Sequence, residues 1–194
     1  MIHDVGYWTN RYLRQQTQWD AGGITTPLKE YIDQLDSKGL KILIPGCGNA
    51  HEASYLHKND FKSVSIIDLS PIPLNRFAAN HDTFPKDQLI TGDFFELDST
   101  YDLIIEQTFF CALHPSERPG YARKMSELLS NSGRLVGVLF EDELFHDHPP
   151  YGGFRDEYST YFEPYFEFKV FERCYNSIKP RQGRELFINL SKKS

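Results

Sequence analysis

Gly46-Cys47-Gly48 closes the apolar run Ile42-Leu43-Ile44, and a helix is expected to follow from about Ala50 to Lys58. Glycines at such a strand-to-helix turn allow the backbone to bend and let a ligand approach main-chain atoms without meeting a Cβ. Asp68 closes the next apolar run, at position 68 against 48 for the second glycine. A carboxylate at that spacing can accept hydrogen bonds from ribose hydroxyls. Ser70-Pro71 follows, so the same carboxylate also suits the N-terminus of a helix; position and spacing together favour the ribose. The third glycine of a dinucleotide fingerprint is missing, because His51 stands where helix packing against a pyrophosphate needs a small side chain. These residues describe a nucleoside site for a cofactor without pyrophosphate.

S-adenosylmethionine meets that description: it has adenine and ribose at one end and a sulfonium with an amino acid at the other. Asp93-Phe94, after the third apolar run, would offer a carboxylate to the adenine amino group and an aromatic face to its ring. The alternative is a loop acid followed by core phenylalanines. Glu106-Gln107-Thr108 stands at the same level after the fourth run.

The elements that must position these residues follow from periodicity. Thr26-Pro27 reads as a helix start, with Leu28, Tyr31, Ile32 and Leu35 on one face and an end near Gly39. Short apolar strands are expected at 41–45, 64–68, 88–91, 101–107 and 135–140, alternating with helices that include one from Ser70-Pro71 and one across Tyr121, Met125, Leu128 and Leu129 ending near Gly133. Beyond a loop carrying Pro149-Pro150 and Gly152-Gly153, apolar residues alternate at Phe166, Phe168, Val170 and again at Leu186, Ile188, Leu190. The expectation is an α/β fold: a Rossmann-like, doubly wound, seven-stranded and mostly parallel sheet, closed by an antiparallel C-terminal hairpin. No repeat or linker divides the chain, so residues 1–38 read as an N-terminal helical cover and 39–194 as the core of a single domain.

Composition narrows the partners. A net charge of −6 argues against a nucleic-acid backbone, which calls for a basic face. No apolar run approaches the roughly 20 residues of a membrane span, and no signal-peptide layout opens the chain, so a cytoplasmic protein is expected. The three cysteines are too dispersed for a disulfide framework or a zinc knuckle. His146-Asp147-His148 reads as a solvated turn, so no metal is expected, and Lys179 to Arg184 reads as a hairpin turn leading to a solvated tail. The 15 Phe and 11 Tyr must be shared between core and an aromatic-lined pocket.

Taken in order, Tyr7-Trp8-Thr9-Asn10-Arg11-Tyr12, Trp19-Asp20-Ala21-Gly22, Pro45-Gly46-Cys47-Gly48, Gly92-Asp93-Phe94-Phe95, Thr108-Phe109-Phe110-Cys111-Ala112-Leu113 and Pro149-Pro150-Tyr151 resemble the thiopurine S-methyltransferase family. They are most similar to its halide, thiocyanate and thiol methyltransferase branch. The resemblance spans roughly residues 7 to 190. It implies that Trp8 and Trp19 close over the cofactor, Gly46 lines it, Asp68 holds the ribose, Asp93 and Phe94 address the adenine, and Gln107 lies beside the methionyl end or methyl group. Two departures stand out. Thiopurine-methylating members carry arginine at the position of Gln107, and the segment from Trp19 to Pro27 has one residue more than the plant spacing.

Methyl transfer to a soft nucleophile asks the protein to align the reactants and exclude water, with no metal. Trp8, Trp19, Phe109 and Phe110 suit an apolar wall around a small acceptor, although core packing is the more common use for at least one of the two phenylalanines. Arg118 and Tyr151 complete the expected acceptor pocket with Phe109. A thiol must also lose its proton, for which Asp20 and Glu106 are weak candidates and no catalytic residue is assigned. Two other readings stay open. One is a nicotinamide-dependent reductase, disfavoured by His51 and by the lack of a Tyr-x-x-x-Lys pair; the other is a non-catalytic S-adenosylmethionine-binding protein.

Overall fold

Apolar residues at alternate positions of the short strands bury two faces of one sheet. The computed structural model describes residues 1–193. Its strands are β1 (Ile42–Pro45), β2 (Val64–Asp68), β3 (Leu89–Thr91), β4 (Tyr101–Gln107), β5 (Leu129–Phe140), β6 (Phe166–Arg173) and β7 (Glu185–Lys192). They form a seven-stranded sheet in the order β3-β2-β1-β4-β5-β7-β6. The first five are parallel, and β7 runs antiparallel between β5 and β6. The expected architecture is therefore present.

Every residue of β1 is buried, as a strand covered on both faces requires. Leu43, Ile67 and Ile104 point to one face, where α5 (Arg118–Leu128) and α6 (Arg155–Phe162) supply Tyr121, Met125, Tyr158 and Phe162. Ile42, Ile44, Ile66 and Leu103 point to the other, against α2 (Thr26–Asp33), α3 (His51–Lys58) and α4 (Pro71–Asn80) through Leu28, Ile32, Leu56, Leu74 and Phe77. Strand order reverses at β1, which pairs with β2 on one side and β4 on the other. Such a reversal opens a crevice above the carboxyl ends of the strands. The remaining helix, α1 (Val5–Leu13), lies over that end. Asp4 caps it by accepting from Tyr7 N–H at 2.8 Å, and Thr9 Oγ1 meets Ser70 Oγ at the start of α4 at 3.0 Å.

Four local expectations are corrected. Helix α2 stops at Asp33, well before Gly39, because Asp36-Ser37-Lys38-Gly39 brings turn formers and no apolar side chain to bury. Leu129 begins β5 opposite Tyr101, with a register shift after that pair, so α5 ends at Leu128. Gly133 is not a helix cap: the chain folds so closely there that a Cβ would meet Leu129 Cδ2 at 2.9 Å. Residues 155–162, given no element from the sequence, form α6, whose buried Tyr158 and Phe162 stand one turn apart. Finally, the stretch at 179–184 does turn between β6 and β7 as expected, but within it Arg181 is withdrawn from solvent, 7% exposed and paired with buried Glu185 at 3.3 Å.

Candidate active site

On α1, Trp8 and Tyr12 stand at i and i+4 and so face the same way. Trp19, in the loop after α1, meets both edge-on, with ring centroids 5.7 Å from Trp8 and 5.8 Å from Tyr12. The Arg11 guanidinium sits 5.2 Å from the centroid of the Trp19 ring. This aromatic cover roofs a cleft floored by Gly46, Ile67, Asp68, Phe94, Thr108 and Phe109, with Pro149 and Pro150 on one side. A second lobe, sharing Trp19, Gly46 and Thr108 with the first, is lined by Asp20, Thr25, Gly48, His51, Gln107 and Arg181.

Gly46 adopts φ +55°, and a Cβ there would lie 2.2 Å from Phe109 Cδ2. Only glycine fits both demands. Gly48, at φ +52°, passes beneath the cover, with Tyr12 Oη 3.6 Å and Trp19 Nε1 3.8 Å from where its Cβ would be. The carboxylate of Asp68 accepts from Ser70 N–H at 2.9 Å, Gly48 N–H at 3.1 Å and Tyr12 O–H at 3.3 Å. Burial pushes its pKa up to about 6 against the pull of those three donors.

Gln107, at the end of β4, accepts from Thr25 Oγ1 at 2.8 Å through Oε1, while its Nε2 is buried without a partner. A buried, unmade donor costs about 1–3 kcal/mol, so this amide is poised for an acceptor in the second lobe. Thr25 and Tyr12 were not singled out from the sequence. Nor was Arg181, which sits near the lobe by tertiary packing.

A family model for thiopurine S-methyltransferase matches residues 3–192. The chain belongs to that family. Membership makes it a methyltransferase of the S-adenosylmethionine-dependent class. Among its relatives, probable thiol methyltransferase 2 of Arabidopsis thaliana is 28% identical over 93% of this chain and 82% of that one. Thiocyanate methyltransferase 1 of Brassica oleracea is also 28% identical, over 94% and 83%. Thiopurine S-methyltransferase of Vibrio cholerae is 26% identical over 72% of each chain. In fold, the chain is similar to the 1,6-didemethyltoxoflavin-N1-methyltransferase of Burkholderia thailandensis, solved with S-adenosylhomocysteine, at TM-score 0.74 and 15% identity over 97% of this chain and 86% of that one. A TehB-like methyltransferase from Corynebacterium glutamicum matches at TM-score 0.69 and 18% identity, over 97% and 100%.

Within this member of the thiopurine S-methyltransferase family, the sequence-derived residues divide. Trp8, Trp19, Gly46, Asp68, Phe94 and Phe109 line the main cleft, and Gln107 and Asp20 the second lobe. Asp93 lines neither lobe, although its neighbours Gly92 and Phe94 line the main cleft; its Oδ1 accepts from Phe95 N–H at 2.8 Å and its Oδ2 is 3.4 Å from the Met1 ammonium. Arg118 is not brought to the cleft. Fully buried, it donates to the carbonyls of Gly152 at 2.9 Å and Tyr151 at 3.0 Å, with its guanidinium packed on Phe110 and Tyr158. It anchors the loop whose Pro149 and Pro150 form the cleft wall. Tyr151 is not a lining residue of the cleft either; it is buried, with its hydroxyl 2.8 Å from His3 Nε2.

Neither weak candidate for a base presents a free oxygen. Asp20 accepts from Gly22 N–H at 2.9 Å, His51 Nε2 at 2.7 Å and Asn49 Nδ2 at 2.5 Å. Burial raises its pKa, but these bonds outweigh burial and leave it below the usual range. Glu106 is fully buried and accepts from Phe109 N–H at 2.7 Å, Phe110 N–H at 3.1 Å and the Tyr121 hydroxyl. Desolvation lifts its pKa to about 7 despite those donors. Both act as braces, Asp20 between the cover and the loop after β1, Glu106 under Phe109. No helix among the described residues is long and apolar enough to cross a membrane.

Proposed function

We propose that this enzyme transfers the methyl group of S-adenosylmethionine to a small soft nucleophile: a thiol, thiocyanate or a halide. The observation that carries this reading is a two-lobed cleft at the strand switch point, with a buried carboxylate at one position, an unpartnered amide donor at another and an aromatic roof over both. Asp68 would hold the ribose hydroxyls, Phe94 with Asp93 would address the adenine, and Gln107 would give its free N–H to the methionyl carboxylate. The names of the thiol and thiocyanate methyltransferases among the relatives support the acceptor class.

S-adenosylmethionine, when bound, supplies an electrophilic methyl on a positively charged sulfonium. The acceptor brings its own electron pair, so the protein's work is alignment and exclusion of water. Trp8 and Trp19 close the roof, and their faces suit a passing positive charge. Phe109, Pro149 and Pro150 offer a soft anion an apolar wall that strips its hydration. The reading invokes a cofactor with a small acceptor and no macromolecular substrate.

Incubation with methyl-labelled S-adenosylmethionine and a mixed panel of thiols, thiocyanate and halides, followed by identification of labelled volatile and soluble products, tests this. Labelled methyl thioethers, methyl thiocyanate or methyl halides are expected. Binding of S-adenosylhomocysteine without labelled product from any acceptor would instead describe a non-catalytic binder.

A further inference from the structure

The titratable groups of the cleft are nearly all committed. Asp68 is taken by the ribose in the reading above, and Glu117 accepts from Ile2 N–H at 2.8 Å and His114 N–H at 3.2 Å. The Cys111 thiol, raised to about 12 by burial, donates to Thr108 O at 3.1 Å. His3 differs. It lines the cleft, stacks beside Tyr151 at 5.9 Å between centroids, and meets the edge of Trp8 at 6.1 Å. Its Nε2 is 2.8 Å from Tyr151 Oη.

We propose that His3, oriented by Tyr151, is the base that removes the proton from weakly acidic thiol acceptors. The proposal rests on the methyl-transfer reading above and narrows its substrate class to thiols that are largely protonated at neutral pH. With Nε2–H donated to Tyr151 Oη, Nδ1 keeps the lone pair that accepts a proton. As the thiol sulfur forms its new bond to the methyl carbon, the old carbon–sulfonium bond breaks and its electron pair stays on the departing sulfur. The S–H proton passes to His3. The positive charge that began on the sulfonium ends on the imidazolium, and the products are a methyl thioether and S-adenosylhomocysteine.

The surroundings keep His3 neutral and ready to accept. Burial lowers its pKa most; Glu117 raises it, His114 and Arg11 lower it, and Asp4 raises it. The rings of Tyr7 and Tyr151 also pack on His3, the Tyr151 hydroxyl being shifted upward by burial. Tyr151 is a positioning residue, held in turn by the bond from Arg118 to its carbonyl.

The test compares 2-mercaptoethanol, a weakly acidic thiol, with thiocyanate, which has no proton to lose. General-base catalysis contributes typically 10²–10⁴-fold, so His3→Gln should lower the thiol-to-thiocyanate ratio of kcat/KM at least tenfold at pH 7. The deficit should close as pH approaches the thiol's own ionisation, so the acid limb of the thiol profile should move from the His3 ionisation up to that of the thiol. Tyr151→Phe should lower the same ratio by a smaller factor, through kcat more than KM, and it provides the test if His3→Gln fails to fold. An unchanged ratio in both variants overturns the proposal. So does an equal loss for both acceptors, or a wild type that methylates thiocyanate but no thiol. A wild type that methylates neither acceptor removes the methyl-transfer reading itself, and this inference with it.

Discussion

Arg181 Nη2 donates to the carbonyl oxygen of Trp19 at 2.6 Å, joining the turn between β6 and β7 to the aromatic roof across 162 positions of sequence. Its Nη1 faces Glu185 Oε1 at 3.3 Å, and both side chains are buried. A residue of the C-terminal hairpin therefore sets the height of a segment that arrives at the start of the chain. Arg181→Met should release Trp19 and leave Glu185 buried without its partner. Breaking a buried pair in this way costs about 3–5 kcal/mol. Urea denaturation should show that loss, and adding Glu185→Leu should recover much of it. A single variant as stable as wild type would mean that the pair contributes little.

In the role proposed for it, ionised Asp68 is the form that would accept from ribose hydroxyls. Since its pKa lies at about 6 without cofactor, binding of S-adenosylhomocysteine should weaken as pH falls below about 6, by at most tenfold in Kd per pH unit. Asp68→Ala should raise Kd about tenfold or more at pH 7.5 and flatten the dependence. Calorimetry between pH 5 and 8 measures both effects, and equal affinity in wild type and variant would take Asp68 out of the site.

Folded Glu106, with its pKa near 7, holds a proton that the unfolded chain releases near the ordinary value of 4.5. Between those values the folded state binds more protons. Stability from this group is therefore greatest below about 4.5 and declines as pH rises through about 7. Glu106→Gln should flatten the fall of the urea midpoint between pH 6 and 8, where Asp68 contributes less. A variant curve parallel to that of wild type would contradict this.

Gln107 Nε2 should matter only to a cofactor that carries a carboxylate. Gln107→Leu is expected to weaken S-adenosylhomocysteine roughly tenfold, the scale of a charge-assisted hydrogen bond. 5′-Methylthioadenosine, which lacks the amino-acid end, should lose much less. If both dissociation constants rise together, the side chain shapes the lobe without contacting the carboxylate.

Much of this protein is written locally. Short apolar runs ending in Gly46-Cys47-Gly48, Asp68 and Gln107 locate strand ends, because a buried parallel strand must be apolar throughout and its polar residues can appear only where it leaves the core. Strand order, and hence the crevice, follows from that alternation. Helix α6 was legible too: Tyr158, Tyr161, Phe162 and Tyr165 recur at i, i+3, i+4 and i+7, but the loop signals ahead of them masked the pattern.

Other assignments needed the third dimension. Arg118 is an ordinary helix-start arginine in sequence; packing turned it inward onto the carbonyls of Tyr151 and Gly152, between the rings of Phe110 and Tyr158 and 3.6 Å from the Glu157 carboxylate, so its charge is spread over five partners. Arg181 looked solvated because its neighbours are basic and polar, yet Glu185, one turn of spacing away, draws it inside. The pairing of His3 with Tyr151 spans 148 positions and leaves no periodic trace. Sequence alone determined the fold, the family and the residues at each strand end, since these depend on local periodicity and motif order. Which polar side chains face the cleft and which brace it was decided only by the tertiary structure, because each buried charge or hydrogen-bonding group must find its partner among residues distant in the chain.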